Sequence, residues 1–122
     1  MKIAMANDHA GTKLKNEIKA YLESEGHEVK DFGTYDEESC DLSDFVYPAA
    51  LAVVCQDPFC AALARQHNDS NVLCLGGKII GPAIAMEIVK TWMHTDPLTA
   101  EKYRRRVKKV QEIDAKHCVA GK

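Results

Sequence analysis

The sequence has no apolar run approaching the roughly 18 residues that a membrane-crossing helix needs, so nothing in it supports a transmembrane segment. It also lacks a signal-like start. The opening MKIAMANDHAG meets Asp8 within a few residues of its single lysine, and no continuous apolar core follows. The expectation is a cytoplasmic protein. Positive charge is not in excess: the formal net charge is -2, which argues against a basic face for nucleic acid. Five cysteines (Cys40, Cys55, Cys60, Cys74, Cys118) are an odd number and contain no C-x-x-C. Free thiols, mostly buried like small apolar residues, are expected, with neither a structural disulfide nor a metal site. Neither G-x-G-x-x-G nor G-x-x-x-x-G-K-[ST] is present, so dinucleotide and nucleoside-triphosphate binding have no direct support. No repeat, linker or low-complexity stretch interrupts the 122 residues. With 46% hydrophobic and 28% charged residues, they suit one globular domain over 1–122.

What is present alternates between two periodicities. Lys2–Ala6 is a short apolar run that reads as a buried strand. A helix follows, with Thr12 as N-cap, an apolar face of Leu14, Ile18, Tyr21 and Leu22, and Gly26 as its stop. Glu28–Phe32 reads as a second strand ending in a Gly33-Thr34 turn. The stretch Ser39–Ala50 is ambiguous, because Pro48 sits where a helix should continue. Ala50–Cys55 reads as a third strand. Asp57-Pro58 then supplies an N-cap and first-turn proline for a helix running to about Gln66. Asn71–Leu75 is a fourth strand, with Gly76-Gly77 as a tight turn. Gly81-Pro82 opens a helix carrying Ile84, Ile88, Val89 and Trp92, and a last helix from near Thr99 carries Tyr103, Val107, Val110 and Ile113. Continuous apolar strands alternating with helices indicate an α/β fold, a Rossmann-like three-layer α/β/α sandwich with a parallel sheet covered on both faces.

Ligands of such folds bind beyond the carboxyl ends of the strands. That rule selects Asn7-Asp8-His9, Gly33-Thr34, Gln56-Asp57 and Gly76-Gly77-Lys78. Asp8 and His9 are suited to binding sugar hydroxyls and moving protons near neutral pH, although a loop pair capping the next helix would look the same. His67-Asn68 in ARQHNDSN offers a general acid beside an amide, against the plain alternative of a polar helix-to-strand turn. Lys102, Arg104, Arg105, Arg106, Lys108 and Lys109 crowd the last helix. Most of these charges suit a solvated face, but Lys102 and Arg106 are four residues apart on one side, where they can clamp a single phosphate. His27, His94 and His117 read as surface residues. Trp92 and the methionines read as core.

Taken together, these stretches resemble the ribose-5-phosphate isomerase B and galactose-6-phosphate isomerase family. KIAMANDHAGTKLKNEIKAYLESEGHEV resembles its strand–DH–helix start, and DFGTYDEESCDLSDF its D-x-G-T … D-Y-P-D stretch. ARQHNDSNVLCLGGKIIG is very similar to its histidine–asparagine motif, and YRRRVKKV to its R-H-x-x-R-V phosphate helix. The resemblance implies a cofactor-free and metal-free aldose–ketose isomerase of phosphorylated sugars. By residue, it implies that His67 and Asp8 open the sugar ring, and that His9 lines the pocket. Asn68 then holds substrate oxygens, and Arg106 binds phosphate with Lys78 and Lys102, which stand where the family commonly has arginines. It further implies a homodimer or dimer of dimers with shared active sites, His67 facing the partner subunit's Asp8.

The sequence departs from the family at Leu42, Ser43 and Tyr103, the last in place of a histidine beside the phosphate clamp. The largest departure is a deficit. The family has an internal strand, a glycine-rich turn and a helix between the counterparts of Ala49 and Val53, a unit of about 30 residues. Here Phe45–Leu51 runs almost directly into Ala52–Cys55. That turn supplies N–H groups for the enediolate and carries the C1–C2 proton-transfer base nearby, so no residue of this sequence inherits that role. A non-catalytic sugar-phosphate-binding relative is the alternative. Loss of an internal strand would leave its neighbours unpaired, which favours a segment merely omitted from a structure, visible as a Cα step well beyond 3.8 Å between Ala49 and Cys55.

Overall fold

The structure, a computed structural model, describes residues 1–7, 9–35 and 52–118. Its element order is β1 (Lys2–Met5), a 3-10 turn (His9–Gly11), α1 (Thr12–Ser24), β2 (Glu28–Asp31), β3 (Ala52–Val54), α2 (Pro58–Asn68), β4 (Val72–Cys74), α3 (Pro82–His94) and α4 (Glu101–Cys118). Asp8, the ambiguous stretch 39–50 with Leu42 and Ser43, and the first part of the expected third strand lie outside the described residues. The Cα step proposed as a check between Ala49 and Cys55 likewise falls partly outside the described residues.

The strands are parallel, as expected, but they form two sheets. β1 pairs with β2 in the register Lys2↔Glu28 to Met5↔Asp31, and β3 pairs with β4 from Ala52↔Val72 to Val54↔Cys74. No ladder joins the pairs among the described residues. The strands are also less covered than a fully buried parallel sheet requires. β1 and β2 alternate between exposed and half-buried residues, and Val54 of β3 is 70% exposed. The chain falls into two compact units, residues 1–48 with 75–86 and residues 49–74 with 87–122.

In the first unit, backbone bonds carry the β1–β2 pairing past the strand ends. The Phe32 N–H donates to the Met5 carbonyl (2.8 Å), that of Asn7 to Gly33 (2.9 Å) and that of Thr34 to Asn7 (3.0 Å). Helix α1 buries Thr12, Lys15, Ile18 and Leu22. A lysine thus takes the place on the buried stripe where Leu14 was expected, and it is not an error of packing. The Lys15 ammonium donates to Asp31 Oδ1 at 2.7 Å and to the Thr34 carbonyl at 2.8 Å. The Gly33 N–H donates to the same carboxylate oxygen at 2.9 Å. This buried pair ties α1 to the end of β2 and the turn after it. The N-cap of α1 is Gly11 and not Thr12. Thr12 is already helical, and its hydroxyl donates back to the His9 carbonyl at 3.2 Å while accepting from Asn7 Nδ2 at 3.0 Å. Gly26 follows the helix at φ +81°, the left-handed stop that the sequence signals.

Gly77 needs to be glycine because backbone occupies the space its side chain would take. A Cβ there would lie 2.9 Å from Gly11 Cα and 3.2 Å from the Ala10 carbonyl oxygen. The Gly76-Gly77 turn thereby rests directly on the 3-10 turn that carries His9.

In the second unit, Asp57 caps α2 as expected. Its carboxylate accepts from the Cys60 N–H at 2.8 Å, with Pro58 in the first turn. That bond holds the Asp57 carboxyl below its ordinary pKa. Cys55, Ala61, Ala64, Ile88 and Val89 are the buried apolar residues of this unit. Cys55 is buried, while Cys60 and Cys74 are exposed, against the expectation of mostly buried thiols. Burial, with Cys60, Asp57 and Cys74 nearby, pushes the Cys55 thiol above its ordinary pKa. Trp92 is half-buried, and its indole N–H donates to Ser70 Oγ at 2.9 Å.

Two outcomes follow. Burial alone would raise the Asp31 pKa. The Lys15 hydrogen bond, the Gly33 N–H and the charges of Lys15 and Lys19 outweigh it and hold Asp31 below its ordinary value. A carboxyl depressed in the folded state stabilises it above the unfolded pKa, and that stability is lost as pH falls through the folded pKa. Asp31→Asn should therefore cost about 3–5 kcal/mol at neutral pH, since it strands a buried ammonium. The deficit should shrink as pH drops below about 4, as read by urea unfolding across pH. Gly77→Ala should cost about 1–3 kcal/mol from overpacking, read the same way. An unchanged midpoint would contradict the close backbone approach.

Candidate functional site

The expected site residues fall into two groups, one in each unit. In the first unit, His9 sits in the 3-10 turn immediately beyond β1, held by the Asn7–Thr12–His9 chain of hydrogen bonds. Its Nδ1 is buried and has no hydrogen-bond partner among the described residues. Because Gly77 packs on the same turn, Lys78 is delivered beside it. His9, Ala10, Lys13 and Lys78 line an open hollow of about 320 Å³. An imidazole and two ammonium groups at one strand end suit an anionic, hydroxyl-rich ligand. Lys13 was not foreseen from the sequence. Its signal was its place one residue into α1, one turn on from His9.

In the second unit, His67 and Asn68 are the last two residues of α2 and do not stand in a loop beyond it. Asp69 closes the helix in the left-handed region at φ 47°, a conformation that Asp tolerates better than most residues. The helix end is fixed from several directions. Arg65 donates to Asp69 Oδ1 (2.7 Å) and to the Ser70 carbonyl (2.6 Å), and its guanidinium lies 5.4 Å from the Trp92 ring centroid. The Leu98 N–H donates to the Gln66 carbonyl at 2.9 Å, which draws the segment before α4 onto the turn carrying His67.

That docking sets the chemistry. The His67 ring stacks on Tyr103, with centroids 4.8 Å apart and planes 7° from parallel. Lys102 Nζ is 4.8 Å and Arg106 Cζ 5.9 Å from the same tyrosine centroid. The two cations placed on one side of α4 by their spacing therefore gather around the aromatic ring that His67 rests on. Asn68 is exposed at the end of α2. A hollow of about 330 Å³ beside the stack is lined by Gln66, His67, Tyr103, Arg104 and Lys108, among others. Tyr103, which the sequence marks as a departure and as an apolar helix position, is thus a neighbour of the expected catalytic histidine. Among the described residues no group of three or more His, Cys, Asp or Glu side chains is arranged to hold a metal, and no helix is long and apolar enough to cross a membrane.

The chain matches the family model described as Ribose/Galactose Isomerase in two pieces, residues 3–54 and 47–110. The pieces meet where the strand–helix unit is missing. The chain is 32% identical to ribose-5-phosphate isomerase B of Escherichia coli over 144 residues, covering 93% of this chain and 96% of the relative. It is 30% identical to the putative sugar phosphate isomerase YwlF of Bacillus subtilis over 149 residues, with 96% and 99% covered. Those 149 aligned positions exceed the 122 residues of this chain, so the alignment opens gaps on its side. Among solved structures, that of Clostridium thermocellum ribose-5-phosphate isomerase B superposes with a TM-score of 0.86 at 32% identity, covering 96% of this chain and 99% of that one. With its parallel strands and flanking helices, the fold is the Rossmann-like α/β fold of these structures, and the chain belongs to the ribose/galactose isomerase family and is by that membership a sugar isomerase.

Proposed function

We propose that this chain isomerises a phosphorylated sugar, ribose 5-phosphate to ribulose 5-phosphate, by ring opening and then proton transfer through an enediolate. The observation that carries the reading is the gathering of His67, Lys102 and Arg106 around Tyr103. A proton-transfer group and two phosphate-seeking cations lie within a side chain's length of each other. In this reading Asp8 and His67 open the furanose: one takes the proton of the C1 hydroxyl and the other gives one to the ring oxygen. Arg106, Lys102 and Lys78 hold the phosphate, with the lysines acting as point charges without an arginine's fork. His9 lines the pocket and Asn68 holds substrate oxygens. The enzyme acts in the cytoplasm as a homodimer or dimer of dimers, with His67 facing the partner subunit's Asp8. The E. coli relative, named a ribose-5-phosphate isomerase, supports the choice of sugar.

A second reading, a sugar-phosphate-binding relative without turnover, is favoured by one observation. The family match comes in two pieces that overlap at residues 47–54, where the glycine-rich turn and the proton-transfer base are expected to intervene. Ring opening and phosphate binding do not need that turn, whereas stabilising the enediolate oxygen does.

A coupled assay across ribose, allose, galactose and erythrose phosphates separates the two. Turnover greatest on ribose 5-phosphate supports isomerisation, and calorimetric binding with no turnover on any sugar supports the second reading. His67→Ala should lower kcat on the cyclic substrate by roughly 10²–10⁴-fold. An unchanged rate would remove His67 from ring opening.

A further inference from the structure

Tyr103 stands where the family has a histidine, and the reading of the site above gives it no task. Its geometry supplies one. The His67 ring takes part in no hydrogen bond among the described residues, and it lies stacked, nearly parallel, on Tyr103. Tyr103 is itself half-buried and anchored through its N–H, which donates to the Ala100 carbonyl at 3.0 Å. The same ring carries the ammonium of Lys102 and the guanidinium of Arg106. The negative face of an aromatic ring attracts a cation, and cations already seated on it weaken its pull on another. An imidazolium at His67 would therefore compete with Lys102 and Arg106. A phosphate bound to those two residues removes the competition.

We propose that Tyr103 is a positioning residue that holds His67 and couples its protonation to anion occupancy of Lys102 and Arg106. An occupied phosphate clamp then favours the protonated imidazole, the form able to give a proton to the ring oxygen. The inference rests on the reading of His67 as a proton-transfer group. Other charged groups face His67 as well. Arg104 and Lys108 of α4 line the hollow beside it, and Asp69 at the end of α2 is paired with Arg65. All are common to the variants compared below, so their effect cancels between them.

The test is an NMR titration of the His67 imidazole in the full chain, with and without inorganic phosphate, in the wild type, Tyr103→Phe and Tyr103→Ala. Phosphate should raise the His67 midpoint in the wild type, because it neutralises the cations that share the Tyr103 ring. Tyr103→Phe keeps the ring and should keep the response. Tyr103→Ala should lose most of it and broaden the imidazole resonances, and should lower kcat on ribose 5-phosphate more than it raises KM. Equal phosphate responses in all three proteins would overturn the proposal, and so would a Tyr103→Phe protein that behaves like Tyr103→Ala. Because the titration needs no turnover, its result is independent of His67→Ala kinetics. A coupled titration with an unaffected His67→Ala rate would sink the catalytic reading and leave the coupling standing.

Discussion

Every described strand of this protein has one partner and no more, and the rest of the structure follows from that constraint. A parallel strand relies on neighbours to satisfy its backbone and on helices to cover its faces. Here β1 and β2 satisfy each other, as do β3 and β4, and each pair is completed by its own local devices. For the first pair these are the buried Lys15–Asp31 contact and the backbone bonds through Asn7 and Thr34. For the second they are the Asp57 cap and the Arg65–Asp69–Ser70 network at the two ends of α2. These local devices also fix the candidate site residues. The first group fixes the turn bearing His9, and the second fixes the helix end bearing His67.

The groups suited to phosphate and proton chemistry are distributed accordingly. One unit offers His9 with Lys13 and Lys78, and the other His67 with Lys102 and Arg106 on a shared tyrosine. Two cationic hollows that each hold an imidazole suit an enzyme that must grip an anion and shuttle protons at sugar oxygens. Among the described residues no group is assigned to the enediolate step.

Much of this was legible in the sequence. Caps and breakers gave α2 and the Gly26 stop because a cap is a local interaction, written in residues three or four apart. The pairing of Lys102 with Arg106 was likewise legible from helical spacing. The split into two sheets was not legible, because strand pairing is non-local and no periodicity records it. Lys15 escaped notice because a lysine on an apolar stripe reads as solvent-facing until Asp31 and the Thr34 carbonyl are brought to it. Tyr103 escaped for a similar reason: its helical phase marks it as apolar packing, and only tertiary docking shows that the packed neighbour is His67. The cysteines were expected mostly inside, yet Cys60 in the first turn of α2 and Cys74 on β4 are exposed.

The central claim is isomerisation of a phosphorylated aldose through an enediolate. Incubation of the protein with ribose 5-phosphate in D₂O, followed by proton and phosphorus NMR, tests it most directly. The account predicts that ribulose 5-phosphate appears with deuterium at C1, because the proton leaving C2 passes through a group that exchanges with solvent. Ribose 5-phosphate recovered unchanged, with no deuterium at carbon and its phosphate signal nonetheless shifted by binding, would contradict it.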